Sequence, residues 1–244
     1  MVVGQAIKLE YKMKKGETLT YKTTVHSEQE IKTEEQSGST SSDVEMKMVQ
    51  KCTDVAPDGT MTVDVTIQSG KLKRDGEEEE LPNVGQTITL KMKKSGEIVH
   101  TSIDLPFEQP AFPTDSVKKG DSWVGESKIS IPGKADMVTL EYNYSLWSFD
   151  KTLGYDCAEI KVACPKTNIP IQEGIDQTLT ANGTTHFAHK QGRLVKSEVE
   201  TRTKITAQDG EVSTYIKVLV ELVEKQKATD SLGITDADDG FILK

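Results

Sequence analysis

The sequence predicts an all-β protein of antiparallel sheets built from two similar halves, with little helix. Three features support this fold class. Apolar and polar residues alternate along many short segments, as expected for strands with one buried face. Asp-Gly and Ser-Gly turns separate these segments and supply the positive φ angles that tight hairpins require. One turn pattern of the first half also recurs in the second. We expect either a curved open barrel or tandem sandwiches.

The first half contains a series of alternating segments rich in Val, Ile, Thr and Met. The predicted strands are residues 7–11, 19–25, 44–50, 61–67 and 87–92. The turns between them are predicted at residues 15–17, 57–59 and 94–97. Each strand places every second residue on the solvent side, which explains how a chain with only 35% hydrophobic residues can still form a core.

The second half repeats this pattern. Its predicted strands are residues 123–124, 138–144, 158–162, 192–205 and 211–222. Asp209-Gly210 is the expected hairpin turn before the last strand. The last segment is long, and its end could instead be helical.

An internal duplication is predicted from three pairs of similar segments that occur in the same order. The paired segments are residues 13–19 and 117–123, the turns at Gly59 and Gly154, and residues 94–99 and 190–195. A deletion in the second copy would then fall opposite the polar residues 34–42, which we expect to form a mobile loop. The alternative is that β proteins reuse Lys-Gly-Glu turns without common ancestry.

These patterns divide the chain into four parts. They are a first β unit (1–104), a proline-rich crossover (105–116), a second, related β unit (117–226) and an acidic C-terminal tail (227–244). The crossover is expected to pack Phe107 and Phe112 onto a sheet. Residues 74–80 are acidic and are predicted to form a solvated loop.

The overall charge argues against a general nucleic-acid-binding protein. The net charge is -9 and the pI is about 5.1, whereas binding to the phosphate backbone needs a basic surface. Lysines do cluster locally, and we interpret the clusters as the solvated faces of strands. They are Lys12, Lys14 and Lys15, and Lys91, Lys93 and Lys94.

Two features of the sequence bear on the location of the protein. It contains no apolar stretch of the roughly 18 residues that a membrane helix needs. The first residues lack the charged and apolar regions of a signal peptide. The chain is therefore either cytoplasmic or the mature part of an extracytoplasmic protein.

The residue types that carry chemistry show no catalytic or metal-binding pattern. Cys52, Cys157 and Cys164 are an odd and low number for a disulfide framework, so buried free thiols are predicted, with a Cys157–Cys164 bridge as the alternative. His186 and His189 are three residues apart and would point to opposite faces of a strand, which disfavours a shared metal. No cofactor is predicted.

No motif for nucleophilic catalysis or for nucleotide binding is present. We therefore predict that the protein is not an enzyme. The acidic residues 236–240 lack the alternating ligands of a calcium loop and are interpreted as part of the tail.

One stretch carries a family resemblance. Residues 112–123 read Phe-Pro-Thr-Asp-Ser-Val-Lys-Lys-Gly-Asp-Ser-Trp, which resembles a segment of uncharacterised bacterial extracytoplasmic β-rich proteins. More distantly, the order of strands is similar to that of the LolA/LppX-like half-barrel lipoprotein carriers. The resemblance implies an extracytoplasmic location. It also implies an acyl-chain cavity lined by one face of a curved sheet.

The predicted function is that of a non-enzymatic binding protein, an extracytoplasmic carrier of a lipid or another hydrophobic ligand. Its concave face would be lined by apolar residues of the strands, with two tryptophans near it. The candidate ligand-binding residues are Leu19, Tyr21, Met46, Met48, Trp123 and Trp147, with Val63 and Val65 on the same face. The same residues would instead form a closed core if the barrel interior is filled.

The alternative function is that of a surface or structural protein that assembles through its strand edges or termini. The apolar ends, residues 2–9 and 241–243, could each add a strand to a neighbouring molecule. The partner is then another copy of the chain or a different protein.

Overall fold

The computed structural model describes residues 6–101, 112–129, 138–172 and 174–223. These residues form twelve β-strands and contain no helix. The strands are β1 (Thr18–Thr33), β2 (Ser37–Val55), β3 (Met61–Arg74), β4 (Glu77–Glu80), β5 (Thr87–Met92), β6 (Ile98–Thr101), β7 (Ser122–Ile129), β8 (Val138–Thr152), β9 (Tyr155–Gln172), β10 (Ile175–Ala188), β11 (Arg193–Ala207) and β12 (Gly210–Val223).

All twelve strands belong to one antiparallel sheet that does not close. The order across the sheet is β6-β5-β3-β2-β1-β12-β11-β10-β9-β8-β7, and β4 pairs with β3 beside this path. Pairing of β1 with β12 joins a first wing (β1 to β6) to a second wing (β7 to β12). The all-β prediction is confirmed, and one open curved sheet replaces the tandem-sandwich alternative.

The sheet is strongly curved. The evidence is that the N-terminal segment (residues 6–13) lies between the two wings and is hydrogen-bonded to both. The Tyr11 N–H donates to the carbonyl of Lys94 in the β5–β6 turn at 2.8 Å. The next residue, Lys12, donates to the carbonyl of Gly192 in the β10–β11 turn at 2.8 Å. In a flat sheet these turns would be roughly 29 Å apart, at about 4.8 Å per strand. We call this end of the sheet the core end and the opposite end the far end.

The core lies inside the curve at the core end, around the N-terminal segment. Leu9 and Tyr11 are 1% and 5% exposed, and the Tyr11 ring lies 5.2 Å from Phe112 and 5.0 Å from Phe187. Phe112 therefore packs on the sheet as the crossover prediction required, whereas Phe107 lies outside the described residues. Residues 7–11, predicted as a strand, form only an isolated bridge from Ile7 to Val117.

Two predicted loops are strands instead. The polar stretch 34–42 is mostly strand, because β2 begins at Ser37 and pairs with the end of β1. The acidic stretch contains β4, whose glutamates lie opposite Lys71, Lys73 and Arg74 of β3. Opposite charges across the ladder stabilise this pairing. The last predicted strand is strand throughout β12 and not helix.

The turns before β1 and β7 have the same hydrogen bonds. The Gly16 N–H donates to the Cys52 carbonyl at 2.7 Å, and the Gly120 N–H donates to the Leu146 carbonyl at 2.8 Å. Both glycines have positive φ angles, of 83° and 94°, which glycine adopts without strain. In each turn a carboxylate also accepts the N–H of the lysine three residues before it. Duplication of the complete halves stays a prediction.

Candidate functional site

Four of the predicted ligand-binding residues lie together in the closed core. Leu19, Tyr21, Met46 and Met48 are 7%, 3%, 9% and 4% exposed and belong to one cluster, which also contains Val63 and Val65. We call the face of the sheet that carries them the inner face. At the core end, these residues pack against each other and the N-terminal segment, as the closed-core alternative expected.

Of the two tryptophans, Trp123 packs against this cluster and Trp147 is exposed. Trp123 is half-buried, and its ring stacks on Tyr144 at 5.7 Å. Trp147 is 61% exposed and lies at the register shift between Leu146 and Ser148, where the alternation of faces along β8 is interrupted.

An apolar band crosses the inner face just beyond the core. The strand registers place its residues side by side, and no polar side chain interrupts it. From β3 across to β7 the band reads Leu72, Val44, Val25, Val218, Val199, Gly183, Val162, Tyr144 and Trp123. At about 4.8 Å per strand it is on the order of 40 Å long. Most of its members in the first wing and the centre are only half-buried.

From the apolar band to the far end, the inner face of β2, β1, β12, β11 and β10 carries no charge. The residues beyond the band are Ser, Thr, Gln, Ile, Val, Ala, Leu and Gly. They are Ser42, Thr40 and Gly38; Ser27, Gln29 and Ile31; Ile216, Thr214 and Val212; Thr201, Thr203 and Ile205; and Ala181, Leu179 and Gln177. Ile31 is 41% exposed, and most of the others are half-buried. A surface that water reaches normally carries charge in a chain with 28% charged residues.

The outer face of the same strands is highly charged. Ion pairs join adjacent strands along it, including Lys22–Glu45 at 2.9 Å, Lys196–Glu221 at 3.0 Å and Lys217–Glu198 at 2.9 Å. Each of these pairs is partly exposed and contributes little stability alone. The outer face of these strands therefore carries many charged side chains, whereas their inner face from the band to the far end carries none.

Hydroxyl groups mark the border between the closed core and the apolar band. Thr185 and Ser197 lie opposite each other with their oxygens 3.0 Å apart. Thr23 is fully buried, and its hydroxyl has no hydrogen-bond partner among the described residues; the same holds for the Tyr11 hydroxyl. Burial raises the pKa of Tyr11 well above its ordinary value, and the nearby Tyr21 and Tyr144 raise it further. The Tyr11 hydroxyl is therefore neutral.

A polar groove of about 670 Å³ lies at the far end of the sheet. Carboxylates, hydroxyls and three basic residues line it, and the Arg202 guanidinium lies 4.8 Å from the centre of the Tyr215 ring. His26 lies on the outer face of β1, and its ring nitrogens are hydrogen-bonded to Asp43 at 2.7 Å and to Glu28 at 3.1 Å. These two carboxylates raise the pKa of His26, with the Asp43 hydrogen bond as the largest cause. The groove lacks apolar walls for a lipid.

One cluster on the outer face brings His186 and Asp150 together. The His186 Nδ1 lies 2.9 Å from Asp150 Oδ2 and 3.1 Å from the Thr152 hydroxyl. Both partners use the same ring nitrogen, whereas a nucleophile–histidine–acid relay uses both nitrogens. The nearby Ser148 hydroxyl donates to Glu159 instead. No group of metal-ligating residues occurs in the described ranges.

His189 and the cysteines are buried individually. His189 follows β10 and packs against Phe149, with ring centres 5.8 Å apart; burial is the main cause that lowers its pKa. Cys52, Cys157 and Cys164 are all buried free thiols. Burial raises the pKa of Cys157 to about 11 and also raises the pKa of the other two.

The lysine clusters lie mainly in turns rather than on strand faces. Lys12, Lys14 and Lys15 precede β1, and Lys93 and Lys94 lie between β5 and β6, so the strand-face interpretation is wrong for these five residues. Only Lys91 lies within a strand. The hydrogen bonds of the N-terminal segment bring these turns together at the core end of the sheet.

The structure describes only part of the two terminal segments that were predicted to add a strand to a neighbouring molecule. Within residues 2–9, Ile7 and Leu9 are buried between the wings and are not available to a neighbouring molecule. Residues 2–5 and 241–243 lie outside the described residues, as does the rest of the acidic tail. Among the residues that the structure describes, no helix is long and apolar enough to cross a membrane.

The sequence matches no protein-family model and no curated protein. Among solved structures, the chain is similar to lipovitellin, in a structure that concerns lipid–protein interactions, with a TM-score of 0.53 and 10% identity. The match covers 87% of this chain and 26% of the lipovitellin chain, so this chain spans about a quarter of lipovitellin's length. The likeness shows a shared fold.

Other similar solved structures have lower TM-scores. DynF from the dynemicin biosynthesis pathway of Micromonospora chersina has a TM-score of 0.26 and 7% identity, covering 92% of this chain and 88% of that one. An outer membrane lipoprotein-sorting protein domain from Vibrio parahaemolyticus has a TM-score of 0.14 and 11% identity, covering 86% of this chain and 88% of that one.

Proposed function

We propose that this protein is a non-enzymatic carrier that holds a lipid or another hydrophobic molecule against the apolar band. The observation that supports the proposal most strongly is the absence of charge on the inner face of β2, β1, β12, β11 and β10 from the band to the far end. The outer face of the same strands carries ion pairs. A ligand that covers the inner face would remove apolar surface from water, which is worth about 25 cal/mol per Å².

The position of the band fits an extended apolar chain better than a compact molecule. The closed core fills the curve at the core end, so the ligand would lie across the strands beyond it, along Val44, Val25, Val218 and Val199. Hydroxyls such as Ser27 and Ser42, whose oxygens are 2.8 Å apart, border the band and satisfy each other. The fold shared with lipovitellin, which is described with its lipid–protein interactions, is in keeping with this proposal.

Two further parts of the proposal concern chemistry and location. The protein is proposed to act without catalysis, because the His186 cluster places both partners on one ring nitrogen and the cysteine pKa values are raised by burial. It is also proposed to act outside the cytoplasm, as the resemblance of residues 112–123 implies.

The test compares two adjacent residues of β12 that face opposite sides. Val218 belongs to the apolar band, whereas its half-buried neighbour Leu219 lines a groove of the outer face. Binding of a fluorescent fatty-acid probe to the purified full chain is measured for Val218→Gln and Leu219→Gln. We expect about tenfold weaker binding for Val218→Gln, because the amide would lose water without gaining a partner. Leu219→Gln should bind as the unchanged protein does.

Equal losses in the two variants would show that the probe does not bind the inner face. A probe that fails to bind the unchanged protein would also contradict the carrier function. Circular dichroism of both variants is the control for folding, because each substitution places an amide on a half-buried position of the same strand.

The second candidate function is assembly through the strand edges. The sheet is open, with β6 and β7 at its two edges, and Val124 on β7 is 59% exposed. An exposed edge with an apolar side chain is suited to strand addition by another chain. Sedimentation at several concentrations tests this function, which predicts oligomers that a Val124→Lys variant lacks.

A further inference from the structure

The hairpin of β3 and β4 brings charged side chains to the inner face, beside the apolar band. Residues that lie directly opposite each other in an antiparallel ladder point to the same face. Leu72 of the band lies opposite Glu79. Arg74, the next inward-facing residue of β3, lies opposite Ser42 of β2 and Glu77 of β4. Because Leu72 and Ser42 face inward, Arg74, Glu77 and Glu79 also do. We call these three residues the hairpin charges.

In the strands that the structure describes, no other charged residue lies on the inner face from the band to the far end. The inner face of β2, β1, β12, β11 and β10 carries none there. The same holds for the inward-facing residues of the remaining strands of the second wing. They are Cys164, Thr167 and Ile169 of β9; Tyr142, Leu140 and Val138 of β8; and Gly125, Ser127 and Ile129 of β7. Charge therefore meets the band at one of its two ends.

Contacts on both sides of the sheet hold this hairpin in place. After β4, the Leu81 N–H donates to the Gly70 carbonyl at 3.0 Å. The Leu81 side chain packs over Gly70 and against the core cluster, on the inner face. On the outer face, Lys71 forms an ion pair with Glu78 at 2.5 Å. The backbone that carries the hairpin charges is therefore fixed beside the band.

The hairpin charges have no close partner of opposite sign among the described residues. Arg74 and Glu77 lie opposite each other, yet neither of them forms an ion pair or a side-chain hydrogen bond, and the same is true of Glu79. All three side chains are exposed. The other charged residues of the hairpin point to the outer face or lie at its tip; they are Lys71, Lys73, Glu78 and Glu80, and Asp75. Two carboxylates and one guanidinium leave one negative charge on the inner face, and Glu79 is the carboxylate beside the band.

We propose that the ligand of the carrier has an ammonium head group, which lies at the hairpin charges while its apolar chain follows the band. The proposal rests on the carrier function and adds the chemistry of the ligand's polar end. An ionised group that leaves water needs an opposite charge to replace its hydration. On the described inner face beside the band, the hairpin supplies such charge, and its sum is negative. The ammonium would contact Glu79 and Glu77, and the chain would pass Leu72, Val44 and Val25.

Protection of the sheet edge is a different explanation for these charges. Among the described strands, β4 pairs only with β3, and inward-pointing charges on an edge strand discourage pairing with a second molecule. That role requires no relation between the charges and the ligand. It predicts that ligands with positive and with negative head groups bind equally, whereas an ammonium site predicts a preference that depends on Glu77 and Glu79.

The experiment measures displacement of the fluorescent fatty-acid probe from the full chain by dodecylamine and by dodecanoic acid, below the concentrations at which they form micelles. The two ligands have the same chain length and opposite charges at neutral pH. The amine should displace the probe at about a three- to fivefold lower concentration, the effect of an exposed ion pair, and added salt should reduce this preference. Glu77→Gln/Glu79→Gln should remove most of the preference. Glu78→Gln/Glu80→Gln removes the same charge from the outer face of the same strand and should keep it.

Arg74→Gln should have the opposite effect, because it removes the one positive charge of the set and should increase the preference for the amine. Thermal unfolding followed by circular dichroism checks the fold of each variant. The proposal is overturned if the unchanged protein binds the amine and the acid equally, or if the two double variants lose the preference to the same extent. A smaller preference in Arg74→Gln would also overturn it. Equal displacement by the two ligands would leave the carrier function intact, whereas a probe that does not bind would contradict the carrier function itself.

Discussion

The N-terminal segment should contribute a large part of the stability, and Leu9→Ala tests this. Leu9 is only 1% exposed and lies between the two wings, in the same cluster as Tyr11, Phe112 and Phe187. Removing its side chain loses the transfer free energy of the buried methyl groups and leaves a cavity. Comparable leucine-to-alanine changes cost about 2–5 kcal/mol, and nearly complete burial suggests about 3 kcal/mol. The total stability of a domain is usually about 5–15 kcal/mol.

The assay is equilibrium unfolding in urea, followed by circular dichroism. The matched control is Leu153→Ala, where the same atoms are removed from a side chain that is 44% exposed. The control should change the unfolding free energy by less than about 0.5 kcal/mol. A decrease in the unfolding free energy of less than about 1 kcal/mol for Leu9→Ala would refute the reasoning, because truncation of a buried leucine in a packed core costs more than this.

Three further predictions follow from single groups. Tyr11→Phe removes a buried hydroxyl without a partner among the described residues, so it should raise the unfolding free energy by about 1 kcal/mol; a loss of that size would show that the hydroxyl is hydrogen-bonded. Asp43 and Glu28 raise the pKa of His26 above its ordinary 6.5, so the stabilisation by protonated His26 is complete below that pH and is lost as the pH rises through the raised pKa. His26→Asn should therefore lower the melting temperature at about pH 5.5 but not at about pH 9, and an equal effect at both would contradict this. The three buried thiols should react with a disulfide reagent at about pH 8 only after denaturation, because burial raises their pKa values; rapid reaction of the folded protein would be the opposite result.

The strands that the sequence predicted are those that border the core. Residues 61–67 alternate because Met61, Val63 and Val65 must be buried, and this period is visible in any such strand. Residues 37–42 and 77–80 gave no such signal, since their pairing needs only backbone hydrogen bonds and charge complementarity. The opposite charges of the β3–β4 hairpin were a usable signal around the Asp75-Gly76 turn.

The position of the N-terminal segment could not be read from its own sequence. Residues 7–11 alternate as a strand does, but a local pattern does not specify that adjacent N–H groups bond to opposite wings. Local alternation predicts that Leu19, Tyr21 and Met48 face inward. Their inclusion in a closed core depends on the N-terminal segment that packs inside the curved sheet, which local alternation does not reveal.

The uncharged inner face was encoded in the sequence. In residues 25–32, Val, Ser, Gln and Ile alternate with His, two Glu and Lys, so charge falls on one side only. This pattern becomes informative once the strand registers show that β2, β12, β11 and β10 follow the same rule. Exposure of Trp147 could not be predicted, because the register shifts beside it between Leu146 and Ser148.

The most direct test of the carrier function is native mass spectrometry of the purified full chain, followed by organic extraction. The proposal predicts an added mass of several hundred daltons, on the order expected for a ligand that fills a binding site. Extraction should release a lipid or another hydrophobic molecule, and the Val218→Gln variant should retain less of it. A chain that carries no added mass, both as isolated and after incubation with a lipid extract, would contradict the account.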